Sequence, residues 1–311
     1  MSQELDISWQ VLRRIVQDWD GTAAELDEVQ PLDGGAISTT VALHLADGRK
    51  AVCKISAHRV DRSYVNEAHQ LKLLAELGLP VPKVYAAKVG SLEDPFSYIL
   101  MEFIEGVNLQ QARKTCTPEQ FDGLQTHLAE LLTQLHEKTA TQYGRVEVAP
   151  QGVLFDSWVP FYRNIFEPIC QDVLHSTHVP IKCRKQIGKI HDQLDRLLQH
   201  DDVPRLVHWD VWSTNILARQ DESGNWKVAA LLDPNCKFAH VEAELAYLSL
   251  FQTSTPAFVK AYQNRRKLSD DYHRVRKPIY QVFFLANHVY LFGAGYVQPL
   301  VAAVERAATL V

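Results

Sequence analysis

Residues 206–217 read LVHWDVWSTNIL, in which His208, Trp209 and Asp210 follow an apolar lead-in and Asn215 stands five positions after the aspartate. The spacing HxDxxxxN is that of a phosphotransferase catalytic loop. Phosphoryl transfer asks little covalent chemistry of a protein; it asks for a carboxylate oriented on the attacking hydroxyl and for groups that hold metal-bound phosphates. Asp210 suits the first task and Asn215 the second. The following apolar run, VAALLD, ends in Asp233, where a hard carboxylate oxygen suits Mg²⁺. An Asx-rich turn around a buried histidine could carry the same loop. The second aspartate at the end of the next strand favours the catalytic reading.

Working back from the loop, Lys54 interrupts the apolar strand AVCKI at 51–55, and the next helical stretch offers Glu67 with Tyr64, Ala68, Leu71 and Leu74 on its packing face. A strand lysine paired with a carboxylate on the following helix is how kinase-like folds hold the α- and β-phosphates. Taken alone, a surface lysine and a solvated glutamate fit these residues equally well. Between the first two strands, Asp33-Gly34-Gly35-Ala36-Ile37-Ser38 forms a Gly-containing turn. Its backbone N–H groups and the Ser38 hydroxyl could approach phosphate closely, although an ordinary hairpin turn would look the same. The stretch SYILMEFIEG reads as a hinge, with Met101 bordering a nucleotide and the backbone of Glu102 and Ile104 facing the adenine edge; an ordinary buried strand predicts the same letters.

The wider pattern is a β-rich N-terminal lobe, 1–103, followed by a helical lobe, 104–311. DISWQVLRRIVQDW has helical period with Asp6 or Ser8 as cap, and strands follow through residue 56 with a tight turn at Ala46-Asp47-Gly48-Arg49. A helix is expected over about 61–77 and a further strand over PFSYILMEF. Beyond these, Leu124, Leu128, Leu131, Leu132 and Leu135 mark one helical stripe. Further helices are expected over roughly 155–175, 181–200, 242–263 and 268–310. Two short strands, near 216–218 and 228–232, interrupt them. The fold class is therefore α+β and bilobal.

Composition excludes several function classes. The chain has 311 residues, 46% hydrophobic and 22% charged, with a formal net charge of −5. The acidic balance and the lack of a dense Lys/Arg block argue against a nucleic-acid surface. No apolar run approaches the length of a membrane span and the N-terminus has no signal pattern, so a cytoplasmic protein without a membrane partner is expected. Cys53, Cys116, Cys170, Cys183 and Cys236 show no zinc spacing and read as reduced thiols. A monomer is expected.

With these residues in place the chain resembles the fructosamine kinase family, within the aminoglycoside-phosphotransferase and protein-kinase-like group. The likeness runs through PLDGGAIS, VCKIS, NEAHQLKLL, ILMEFIEG, SWVPFYR, HWDVWSTN, LLDPNCKFAHVEAELAYLSLF and IYQVFFLANHVYLFGAGY. It implies a kinase-like fold and transfer of the ATP γ-phosphate, with Mg²⁺, to a hydroxyl of a fructosamine or ribulosamine. An aminoglycoside or another metabolite alcohol is the alternative acceptor, and a nucleotide-binding pseudokinase the third reading. By resemblance Asp210 is the catalytic base, Asn215 and Asp233 the metal ligands, Lys54 and Glu67 the phosphate-positioning pair, and Gly34, Gly35, Ala36, Ile37 and Ser38 the phosphate loop. Trp209, Trp212, Tyr162, His240, Glu242 and His288 are candidates for the acceptor wall; Tyr162, His240, Glu242 and His288 could equally be packing. The chain departs from the family at three places near the acceptor: Trp209 stands where Gly is usual, Asn235 where Ala is usual, and Val241 where a charged residue is usual. Trp209 is expected either to pack beside the segment after Asp233 or to narrow the acceptor pocket.

Overall fold

The computed structural model describes residues 7–21, 24–32, 39–56, 61–148 and 152–311. Two compact units share the chain. The first takes Met1–Cys116, Val146–Gln151 and Ser213–Asn235; the second takes Thr117–Arg145, Gly152–Trp212 and Cys236–Val311.

The first unit is built on a five-stranded antiparallel sheet in the order Leu26–Pro31, Thr39–Leu45, Lys50–Ser56, Ser97–Glu102, Val84–Lys88. Side chains alternate across a strand, so each strand feeds two different cores. Ala51, Cys53 and Ile55 point to one face, where they join Val41, Leu43, Leu100 and the buried Leu12, Ile15 and Val16 of the helix Trp9–Asp20. Each such aliphatic side chain contributes roughly 1.5–3 kcal/mol when fully buried. The helix begins at Ser8, whose hydroxyl accepts from the Val11 amide at 3.4 Å, as the capping pattern requires. On the opposite face the helix Ser63–Glu76 lays Tyr64, Ala68 and Leu71 against Ile99 and Met101. The turn at 46–49 closes through the Arg49 amide, which donates to Asp47 Oδ1 at 3.0 Å, and Gly48 takes the left-handed φ of 86° that this tight reversal needs.

A second, smaller sheet of this unit joins Val107–Asn108 to the hairpin Ile216–Gln220 and Trp226–Leu231. Gly106 leads into it. A Cβ there would lie 2.8 Å from the Ala218 carbonyl oxygen, so a glycine ends the SYILMEFIEG stretch for reasons of close approach.

The second unit is mainly helical. Its longest helix, Pro118–Glu137, starts in a capping box between Thr117 and Gln120 and buries the expected leucine stripe. Three of the long helical stretches expected from sequence are divided. The 181–200 stretch breaks at Gln193. The 242–263 stretch becomes Val241–Leu250 and Pro256–Arg265, because Thr255 and Pro256 start a new helix. The 268–310 stretch becomes a π-helical turn at Tyr272–Arg276, then Lys277–Phe292 and Val297–Ala307, with Gly293 at φ 75° ending the middle piece. A three-stranded antiparallel sheet, Gly144–Arg145, Lys237–Ala239, Arg205–Val207, holds the chain on either side of the catalytic-loop sequence.

Among the described residues no helix is long and apolar enough to cross a membrane. The five cysteines are free. Burial pushes the Cys53 thiol up to about 12, which leaves it unreactive although it is the neighbour of Lys54 in the strand.

Candidate active site

Lys54, Glu67 and Asp233 all lie in the first unit. Period-2 alternation turns Val52 and Lys54 to the helix-covered face of the sheet, and Glu67, one helical turn after Tyr64, shares that helix's inward face. Lys54 Nζ donates to Glu67 Oε1 at 2.7 Å and also to Asp233 Oδ1. Burial alone would lower the lysine's pKa, but the two carboxylates outweigh it and raise it, so the ammonium is held charged. Burial pushes the Glu67 carboxyl up, against the pull of Lys54.

Asp233 reaches this lysine because of the 216–231 hairpin. Ile216 pairs with Leu231, and the Leu232 amide donates to the Asn215 carbonyl at 2.8 Å. The register therefore brings Asn215 and Asp233 to the same open end of one hairpin. Asp233 adopts φ 56°, a left-handed conformation that aspartate tolerates better than most residues. Met101 is buried in the core beneath the helix, and the Glu102 amide donates to the Lys83 carbonyl at 2.8 Å. Ile104 is half-buried in the following segment. Gly34, Gly35, Ala36, Ile37 and Ser38 lie outside the described residues.

Asp210 lies in the second unit. Asp210 Oδ1 accepts the Tyr247 hydroxyl at 2.9 Å. Burial, then the Asp210 charge, pushes the Tyr247 phenol up, so it stays a donor and fixes the carboxylate's orientation. Trp209 has φ 69°, the conformation that glycine adopts freely. This gives a physical reason for glycine being usual there. The turn is held by Glu244: its Oε1 accepts the Trp209 amide at 2.5 Å and its Oε2 accepts from His136 Nε2 at 2.7 Å. His136 in turn shares a 2.7 Å hydrogen bond with the Tyr262 hydroxyl. Burial would raise the Glu244 carboxyl, but His136, the field of His208 and the Trp209 amide together hold it below the usual range.

The six acceptor candidates separate by environment. Trp212 is exposed, at 39%, with its amide on the Asp210 carbonyl at 3.1 Å. His288 is half-buried and its ring lies among Tyr247, Phe251, Phe292 and Tyr296. Trp209 is buried, its ring 5.5 Å from that of Phe284 and 4.7 Å from Lys237 Nζ, so it packs beside the segment after Asp233. Tyr162, His240 and Glu242 are buried in the helical core. Tyr162 packs on Trp158, Phe166, Tyr280 and Phe283. Glu242 forms a two-point ion pair with Arg276 at 2.5 and 3.0 Å. His240 bonds the Tyr280 hydroxyl at 2.8 Å and stacks on His200 with ring centroids 3.6 Å apart.

That histidine stack gives the second unit an acid sensitivity. Burial pushes His200 down to about 4, and burial and then the charge of His200 push His240 down as well. Both fold as neutral rings, whereas the unfolded chain titrates near the ordinary imidazole value of 6.5. Their contribution is thus fully present above about pH 6.5 and is lost as pH falls from there toward 4. The depressed His200 should cost about 2 kcal/mol of stability between pH 7 and pH 5, and His240 acts in the same direction. Urea unfolding at the two pH values measures it, and His200→Gln should flatten the dependence. An unchanged pH dependence in that variant would contradict the assignment.

Neither Tyr247 nor His136 is marked by a motif in the sequence. The acidic HVEAELAY run held Glu244, but its partner His136 is 108 residues away.

Comparison with known proteins bears on the whole chain. The fructosamine kinase family model matches residues 8–309. A ketoamine kinase homologue of Klebsiella aerogenes is 26% identical over 312 residues, covering 96% of this chain and 99% of its own. Among solved structures, a fructosamine-3-kinase homologue from Thermobifida fusca superposes with TM-score 0.76 at 23% identity, covering 97% of this chain and 100% of its own. A thermostable aminoglycoside phosphotransferase solved with AMP-PNP and hygromycin B superposes with TM-score 0.66 at 18% identity, covering 95% and 98%. At these identities the two solved structures establish the fold, which is protein-kinase-like.

Proposed function

The chain belongs to the fructosamine kinase family, and from that premise we infer that it transfers the γ-phosphate of ATP to a hydroxyl of a sugar-derived ketosamine of the fructosamine or ribulosamine type, in the cytoplasm. The observation that carries the reading is the Lys54–Glu67–Asp233 cluster, which gathers a strand lysine, a helix carboxylate and the aspartate that follows the catalytic-loop hairpin. A pseudokinase has no use for all three together with Asp210 and Asn215. Lys54, held charged by its partners, pairs with the α- and β-phosphates of ATP, and Glu67 keeps it in place. Asp210, steadied by Tyr247, orients the acceptor hydroxyl and takes its proton as the O–P bond forms. Trp212 and His288 are the two candidates whose exposure leaves a face for the acceptor.

Asn215 and Asp233 suit Mg²⁺. One hard carboxylate and one amide oxygen at the same hairpin end are a small donor set, and among the described residues no group of three His, Cys, Asp or Glu gathers to form a closed cage. Mg²⁺ favours such sites, where phosphates and water complete its octahedron. When bound it would neutralise charge on the β- and γ-phosphates.

A coupled ADP-release assay over a panel of small fructosamines, ribulosamines and aminoglycosides tests the function. ADP release should require a ketosamine. Turnover of aminoglycosides alone would move the acceptor to the other class.

A further inference from the structure

Lys260, Lys267 and Lys277 line one groove of the second unit, with a volume of about 810 Å³. That volume is within the range of small-ligand sites. One wall is a side of the helix Pro256–Arg265, where Val259, Lys260, Gln263 and Asn264 follow at helical spacing, and Lys267 stands two residues past its end. The other wall is the π-helical turn Tyr272–Arg276, through His273, with Lys277 at the start of the next helix. Single π-helical turns are rare and are found frequently at functional sites.

The charge pattern sets this groove apart. The chain has 37 Asp and Glu against 32 Lys and Arg, so carboxylates are not scarce. Three arginines of the same segment are paired: Arg266 with Asp202, Arg274 with Asp270 and Arg276 with Glu242. Among the described residues the three lysines form no ion pair, and no carboxylate lines the groove. Lys260 and Lys267 are exposed and carry its positive charge. Lys277 is half-buried; burial lowers its amine, and no charged neighbour offsets that. Gathering like charges costs electrostatic energy that exposed side chains do not recover through packing. The groove also lies away from Asp210. Ser249 lines it, whereas Tyr247, which bonds Asp210, stands two residues earlier on the helix Val241–Leu250. The two side chains therefore leave that helix about 200° apart.

We propose that this groove is a second binding site, for a small molecule bearing a phosphate monoester, with Lys260, Lys267 and Lys277 as its countercharge and Val259, Gln263 and Asn264 against its body. A small ligand suits the groove better than a macromolecular polyanion. Asp270 and Asp271, both exposed, precede the π-helical turn and break the positive surface beyond the lysines. The site goes beyond the phosphotransfer assigned to the Lys54 and Asp210 regions and does not depend on the identity of the acceptor.

Calorimetric titration of the full chain with glycerol 3-phosphate tests the proposal, with AMP-PNP and magnesium at saturation so that a nucleotide site is filled beforehand. One saturable site is expected, with weaker binding of inorganic phosphate and none of glycerol. Lys260→Gln/Lys267→Gln should weaken glycerol 3-phosphate binding by about tenfold or more, the loss of at least one charge-assisted contact. Both lysines are exposed, so the variant should melt within about 2 °C of wild type. Absence of saturable binding overturns the proposal, and so does equal affinity in wild type and variant. Inorganic phosphate binding as tightly as the ester would make the groove a site for the free ion and overturn the assignment of a phosphorylated body. Binding of polyglutamate without glycerol 3-phosphate would make it a docking surface for an acidic chain and likewise overturn it.

Discussion

Asp210→Ala should reduce kcat on a ketosamine by about 10²–10⁴ while ATP affinity stays within a few-fold of wild type. The two halves of this expectation have different physical origins. Asp210, proposed to orient the hydroxyl, sits in the second unit, bonded to Tyr247, whereas the lysine and carboxylates assigned to the nucleotide belong to the first. Removing Asp210 deletes the acceptor for the hydroxyl proton and leaves Lys54, Glu67 and Asp233 with their mutual bonds. Single-turnover phosphorylation and calorimetric ATP titration measure the two quantities on the same preparation. Undiminished phosphorylation would remove Asp210 from the reaction. A parallel loss of ATP binding would mean that the substitution had disturbed the fold rather than the chemistry.

The second large effect is on stability. Glu244→Ala should cost about 3–5 kcal/mol, the range for breaking a buried pair by removing one partner. Glu244 is 0% exposed and serves two donors at once, the His136 ring and the Trp209 amide. The alanine leaves both unmet in a region that water does not reach, and it also withdraws the brace from a turn already in a left-handed conformation. A unit of this size loses about 2–4 °C per kcal/mol, so the thermal midpoint should fall by on the order of 10 °C. Glu244→Gln, which keeps an oxygen for the Trp209 amide, should fall by clearly less. Equal losses for the two variants would show that shape rather than hydrogen bonding governs the site.

Much of the proposed catalytic framework has local signals in the sequence. Lys54 announces itself as a charge within a period-2 apolar strand, and Glu67 falls on the same helical face as Tyr64, Ala68 and Leu71. Asp210, Asn215 and Asp233 are fixed by spacing and by the turn between two short strands. Elements without a period escaped. The strand Val84–Lys88 is half-buried at every position and shows no alternation. The strands Gly144–Arg145, Arg205–Val207 and Lys237–Ala239 are two or three residues long, too short for a pattern.

The polar web of the second unit was illegible for another reason. Sequence places His240 and Glu242 beside each other on an apolar helix start, which fits a cleft wall as readily as a core. Only the fold supplies Arg276 and His200 as their partners and turns them inward. Tyr162 is the same case: an aromatic stripe shows that a helix has an apolar face, and says nothing about whether that face meets ligand or protein. Trp209 was legible as an anomaly and not as a conformation, since a φ value leaves no mark in the letters of a single chain.

The two tryptophans of the catalytic loop stand in opposite surroundings, Trp209 at 8% exposure against a lysine ammonium and Trp212 at 39%. An indole's emission follows the polarity around it, and only an accessible ring is reached by a dissolved quencher. The loop therefore carries a matched pair of native optical reporters three residues apart along the chain. One reads the interior beside the carboxylate and the other reads the surface, so with Trp9, Trp19, Trp158 and Trp226 replaced by phenylalanine, interior loosening and surface occupancy would give separable signals without any attached dye.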